Sequence, residues 1–171
     1  MNRNGLVIPV YLVLMFLFMF LRSFFPQFPL TQSMQLGLMV LATTIFIGYL
    51  NYQHNQDRLF KDLFKEFNER YDRLNDSFEE LTGYQEDVSL LVIDKKHLRV
   101  VVDYLNLCAE EYFWFEKGRI DPQAWESWKA GMKTWADLPV VQIVFNSEMA
   151  NWTSSYYHGF QEFFKELISD I

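Results

Sequence analysis

Acidic residues are missing from the first 52 positions of this 171-residue chain, where Arg3 and Arg22 are the only Lys or Arg residues. All 22 acids and the other 13 of the 15 Lys and Arg residues follow Tyr52. The net charge of −7 is therefore +2 on the first segment and −9 on the remainder. An acidic remainder excludes a duplex nucleic acid as partner, because binding DNA draws on positive charge that releases counterions. A small anion held by a local basic pocket stays open. Cysteine is almost absent as well. Cys108 stands alone, so no disulfide framework exists, and a cytoplasmic setting fits better than an exported one. There is also no glycine-rich phosphate loop, no metal-ligand cluster and no nucleophile elbow. His54, His97 and His158 are scattered, and the adjacent Glu110 and Glu111 point in different directions on a helix. The chain reads as a non-enzyme with no cofactor and no metal.

The charge-poor segment is rich in apolar residues. One run covers Gly5 to Leu21, and a second runs from about Leu30 to Tyr52. Each is long enough for a hydrocarbon core of about 30 Å, which takes roughly 20 helical residues. Backbone in lipid must satisfy its own hydrogen bonds, so both segments are expected to be helices. A two-helix transmembrane hairpin over residues 1–52 follows, with helices at about 5–25 and 30–52 and a turn at Pro26 and Pro29. The connecting turn carries Arg22 alone, whereas Arg3, Arg58, Lys61, Lys65 and Arg70 flank the other ends. That bias predicts a multi-pass protein of the cell inner membrane with both termini cytoplasmic. Thr43 and Thr44 are polar within the second helix, and bonds back to their own helix account for them.

Residues 53–83 carry the clearest periodicity. Phe60, Phe64, Phe67, Tyr71, Leu74, Phe78 and Leu81 are spaced four and three residues apart in alternation. This heptad seam predicts a stalk helix that bundles with copies of itself, and a homo-oligomer such as a tetramer. The alternative is a single amphipathic helix packed on its own domain. Residues 84–171 read as a small cytoplasmic helical domain, which makes the whole chain all-α. Asp94 is a good N-cap for a helix from Lys95 to Lys117, closed by Gly118. Asp121-Pro122 starts another, which carries Trp125, Trp128, Met132 and Trp135. Val140 to Met149 forms a short apolar element, and a last helix is expected from about Ser154 to Leu167. Val88 to Ile93 is ambiguous between helix and strand. Cys108 lies on an apolar face and is expected to be a buried thiol, and the tryptophans are expected to be core.

Lys95, Lys96, His97 and Arg99 form the basic run of this acidic region. They sit where a helix begins, a position that already presents partial positive charge. Cations there make a candidate ligand-binding site for phosphate or phosphodiester groups. A solvated turn flanked by Asp94 and Asp103 is the other reading. Lys117 and Arg119, near the far end of that helix, need no functional explanation.

Asp103-Tyr-Leu-Asn-Leu-Cys-Ala-Glu-Glu-Tyr112, Gly118-Arg-Ile-Asp121, Trp125-x-x-Trp128 and Gly131-Met132 resemble a pattern in short bacterial membrane proteins of unknown function. Two membrane helices with a small cytoplasmic domain are also similar to the membrane effectors of bacterial antiphage defence. Among these the layout most resembles the two-helix effectors of type III CRISPR systems, which are switched on by cyclic oligoadenylate. The resemblance implies a partner list of lipid bilayer, other copies of the chain, and a cyclic oligonucleotide. It places no ligand-binding residue on this sequence.

Overall fold

The computed structural model describes residues 4–24, 31–82, 93–151, 156–157 and 159–169. These residues form six α-helices and no strand: α1 (Asn4–Phe24), α2 (Gln32–Leu81), α3 (Lys95–Glu116), α4 (Pro122–Ala136), α5 (Pro139–Asn151) and α6 (Phe160–Ser169). The expected turn at Pro26 and Pro29, the Gly83 helix stop, the ambiguous run over 88–92, the start of the last helix at Ser154, and His158 lie outside the described residues. The chain divides into two compact units, Met1–Gln56 and Asp57–Ile171. The expected boundary at residue 52 falls inside α2, which continues through it.

In the first unit, α1 runs antiparallel to the start of α2. Gln35 Nε2 donates to the carbonyls of Phe18 and Met19, at 3.0 and 3.2 Å. Further along, the Tyr11 and Phe46 rings stack with centroids 3.9 Å apart, and the Tyr11 hydroxyl lies 2.6 Å from Thr43 Oγ1. Thr43 and Thr44 bond back to the carbonyls of Met39 and Val40, at 2.8 and 2.9 Å, as expected of hydroxyls in an apolar helix. The outward faces keep large apolar side chains exposed, from Ile8 and Phe16 to Val40 and Ile45. Within the described residues, α2 is long and apolar enough to cross a membrane, and Val7–Phe20 is a shorter apolar stretch.

Thr31 opens α2, with its hydroxyl accepting from Met34 N and its carbonyl from Gln35 N. From residue 57 onward the character of α2 changes. Its exposed side carries Arg58–Asp62, Lys65–Glu69 and Arg70–Glu66 pairs at 3.6–3.9 Å, each one helical turn apart. Such solvated pairs add only a few tenths of a kcal/mol each. Its seam does more. Phe67, Phe78 and Leu81 are buried, Phe78 meets Tyr104 of α3 and Trp135 of α4, and Phe67 meets Trp128 of α4. Tyr71 accepts a hydrogen bond from Trp135 Nε1 at 2.8 Å. Part of the seam thus packs on helices of its own chain, the arrangement of a single amphipathic helix on its own domain, while Phe64 keeps 42% of its surface exposed and Phe60, Tyr71 and Leu74 are half-buried.

The caps explain why α3 and α4 begin and end where they do. Asp94 accepts from His97 N and Asp121 from Gln123 N, with Pro122 in the first turn of α4. Gly118 adopts φ +64° beyond α3, its N–H donating to Phe115 O while Arg119 N–H donates to Trp114 O. That bond pair is a Schellman closure, which requires the left-handed region. α3 packs against α4, α5 and α6, and their shared core contains Val101, Leu105, Cys108, Phe145, Phe160 and Phe164. Cys108 is fully buried, as expected, and burial pushes its thiol well up.

The last helix, as described, starts at Phe160, after Gly159 at φ +90°. A Cβ on Gly159 would lie 2.8 Å from the Tyr112 hydroxyl. Gly159→Ala is therefore expected to destabilise the second unit by about 1–2 kcal/mol, from the backbone conformation alone. A urea denaturation midpoint shifted to lower concentration checks it.

Candidate functional site

The basic run is built on the first turn of α3. Asp94 accepts the His97 backbone N–H at 2.9 Å, and its second oxygen lies 2.7 Å from His97 Nδ1. Glu80, in the last turn of α2, takes Lys96 Nζ at 2.9 Å and His97 Nε2 at 3.1 Å. Hydrogen bonds from Lys96 first, then His97, hold Glu80 below its ordinary carboxylate value, and the His97 backbone N–H does the same for Asp94. Glu80 in return raises Lys96. The structure thus gathers Lys96 and His97 on Glu80 as a link between α2 and α3. Lys95 and Arg99 stand apart from that link and are exposed, with Arg99 Nε 3.8 Å from Asp103. An anion arriving here meets these two cations without displacing Glu80.

Two cavities in the second unit were not evident from sequence. The larger, about 450 Å³, opens between α2, α3 and the segment before α6, and is lined by Arg70, Arg73, Asn106, Glu110, Tyr156 and other residues. Arg70 forks onto Glu110 with Nη1 and Nη2 at 2.7 and 2.9 Å, the geometry in which guanidinium and carboxylate match best. That bond raises the arginine further. The Tyr156 hydroxyl is buried with no hydrogen-bond partner among the described residues, and burial pushes it up to about 12. A charged pair already satisfied at its wall leaves this cavity close to neutral.

The smaller cavity, about 250 Å³, lies between α2, α3 and α4. Glu111 reaches it from α3, and Asn68 and Tyr71 from α2. α4 contributes Ser127, Trp128, Gly131 and Met132. Glu111 is the one buried charged residue among the described positions, 6% exposed, and no hydrogen bond reaches its carboxyl. Burial pushes Glu111 up to about 8; the nearby Arg70 opposes that shift and Glu110 adds to it. At neutral pH the group is largely protonated. The Tyr104 hydroxyl, also on this cavity's wall, is buried without a satisfying partner; the Cys108 thiol beside it is a weak neighbour. Of the adjacent glutamates, then, Glu110 is a partly exposed ion-pair member and Glu111 a buried acid. The signal lay in the spacing of Tyr104, Cys108 and Glu111, four and three residues apart, which sets all three on one helix face.

Among the described residues, no group of three His, Cys, Asp or Glu side chains is placed to hold a metal ion. Neither a known family model, nor a curated protein, nor a solved structure matches this chain.

Proposed function

We propose that this protein is a membrane-anchored antiphage effector that senses a small anionic signal such as a cyclic oligoadenylate. On this reading α1 and the first half of α2 form a two-helix transmembrane hairpin in the cell inner membrane, with both termini cytoplasmic. The second unit is then a cytoplasmic helical bundle that binds the signal and catalyses nothing. The observation that carries the reading is α2 itself, one 50-residue helix whose first half has apolar residues exposed and whose second half belongs to the polar unit. A change at its cytoplasmic end passes into the membrane through continuous backbone hydrogen bonds. Phosphates are assigned to Lys95 and Arg99 at the start of α3, where helix dipole and side chains add. Self-association is assigned to the membrane helices, where a pore would need several copies. The signal opens that assembly only by as much as it prefers the open arrangement.

Vesicles containing the purified chain and a self-quenched dye test this. Cyclic tetra-adenylate should release the dye, and Lys95→Ala with Arg99→Ala should raise the concentration required about ten-fold, the usual scale for losing two exposed phosphate contacts. Vesicles that stay sealed at every ligand concentration would refute the effector reading.

A second reading is an anchored adaptor whose helical unit docks a protein partner. The pairing of Lys96 and His97 with Glu80 favours it, since half of the basic run is already neutralised internally. An adaptor leaves vesicles intact with or without ligand, and its expression is harmless to cells.

A further inference from the structure

We infer that the cavity between α2, α3 and α4 is a binding site for a small primary ammonium compound, held by Glu111 and walled by Trp128 and Tyr71. The argument is one of unmatched hydrogen-bonding capacity. Asn68 Nδ2 is committed to Phe64 O at 2.7 Å, and the Ser127 hydroxyl proton to Gln123 O at 3.2 Å. What these side chains offer the cavity is their acceptor oxygens. Tyr71 Oη already accepts from Trp135. Glu111 is 6% exposed and its carboxyl makes no hydrogen bond among the described residues, and the Tyr104 hydroxyl on the same wall is buried without a partner. Buried polar groups are normally satisfied, so a carboxyl left alone in a cavity calls for a donor. The wall is lined with oxygens of Glu111, Tyr104, Asn68 and Ser127, each of which can accept, and an alkylammonium brings three N–H donors to such a set. The walls fit its other end. Trp128, Tyr71 and Met132 add apolar and aromatic atoms to the lining. Aromatic faces attract cations as well as covering methylenes.

Gly131 supplies a second, independent observation. It sits inside α4, where glycine costs about 1 kcal/mol relative to alanine. Helical φ does not require it, and an added Cβ would meet nothing within 4 Å. No close packing around the helix demands a glycine here. What its missing side chain leaves is cavity space.

The charge balance is explicit. Facing Glu111 from α2 are Arg70 and Tyr71, and from α3 Tyr104, Cys108 and Glu110; the α4 wall has no charged residue. Arg70 would repel a cation, but Glu110 forks onto it and neutralises it. A ligand ammonium arriving with its charge draws the Glu111 carboxyl into the ionised form. The proton leaves to solvent, and the ligand keeps its own three.

Calorimetry on the purified 171-residue chain in detergent tests this, with n-butylammonium as probe and 1-butanol as its neutral counterpart. Butylammonium should bind at least ten-fold more tightly than 1-butanol. At about pH 6.5 its apparent heat should differ between phosphate and imidazole buffers by the amount expected for release of close to one proton, and at about pH 9.5 it should be the same in two buffers of different ionisation heat that are not primary amines, such as borate and CHES. Glu111→Gln should weaken binding at least ten-fold and abolish the buffer dependence. Gly131→Leu, which fills the cavity from an unstrained helical position, should abolish binding with the helical signal retained. Equal affinity for the two probes, unchanged binding in either variant, or no binding would overturn the assignment.

Discussion

Phe78→Ala should lower the unfolding free energy of the second unit by about 3–5 kcal/mol, the cost of removing a fully buried aromatic ring from a core that relaxes only in part. The ring is fully buried, 4.7 Å from Tyr104 in an edge-to-face arrangement and 4.6 Å from Trp135. Tyr104 and Trp135 stand on different helices, so one truncation loosens both contacts of the α2 seam. Urea denaturation followed by far-ultraviolet circular dichroism measures it, and the midpoint should fall without a change in slope. Phe64 gives the contrast. It is 42% exposed, although it stacks on Trp128 with centroids 5.5 Å apart. Phe64→Ala should cost about 1 kcal/mol or less, the scale of one half-exposed aromatic pair. Equal losses for the two would mean that the seam is not ordered on its own domain as described.

Glu111→Gln should remove a pH dependence of stability. The folded state raises this carboxyl from an ordinary value of 4.5 to about 8, chiefly by burial. Between those values the folded chain holds a proton that the unfolded chain has released. Stability contributed by the protonated acid is therefore full below about pH 4.5, falls as pH rises through the window, and is flat above about pH 8. Glutamine keeps the shape and cannot ionise. The variant and the parent should be similar near pH 5, and the variant should be more stable by on the order of 3 kcal/mol near pH 8.5. Denaturation midpoints at five or so pH values settle the sign. A gap of the same size at every pH would mean that Glu111 does not titrate in the folded chain's window.

Local rules carried the sequence reading furthest where one residue decides the backbone. Asp94, Asp121-Pro122 and Gly118 set the ends of α3 and α4 within a residue or two, because caps and left-handed closures depend on side chains at fixed offsets. The threonine back-bonds and the buried thiol were equally local. Partnership was not. The heptad seam of α2 reads the same whether its rings meet another copy or the same chain, and the structure brings Trp128, Trp135 and Tyr104 to them. Heptad spacing led to a stalk, yet the same spacing serves a single amphipathic helix packed on its own domain. The basic run was visible, but Glu80, 16 residues before Lys96 and 17 before His97, was not paired with it in sequence, since no periodic rule links the end of one helix to the start of the next. Both cavities arise from three elements meeting, which a one-dimensional pattern does not contain. Glu111 is the exception: its spacing from Cys108 sets it on the apolar face, although the sequence reading noted only that it and Glu110 point in different directions.

The tryptophans have one further use. All five follow Asp57, at positions 114, 125, 128, 135 and 152, and the apolar first unit has none. Trp125 is 3% exposed and stacks 4.4 Å from Phe115, while the Trp135 indole donates to Tyr71. Tryptophan emission, excited selectively beyond the tyrosine band, therefore reports on the second unit alone, because the first unit contributes only Tyr11, Tyr49 and Tyr52. A red shift on adding a ligand or denaturant then reads opening around these rings directly, in detergent or in vesicles, with no label and no tryptophan signal from the first unit.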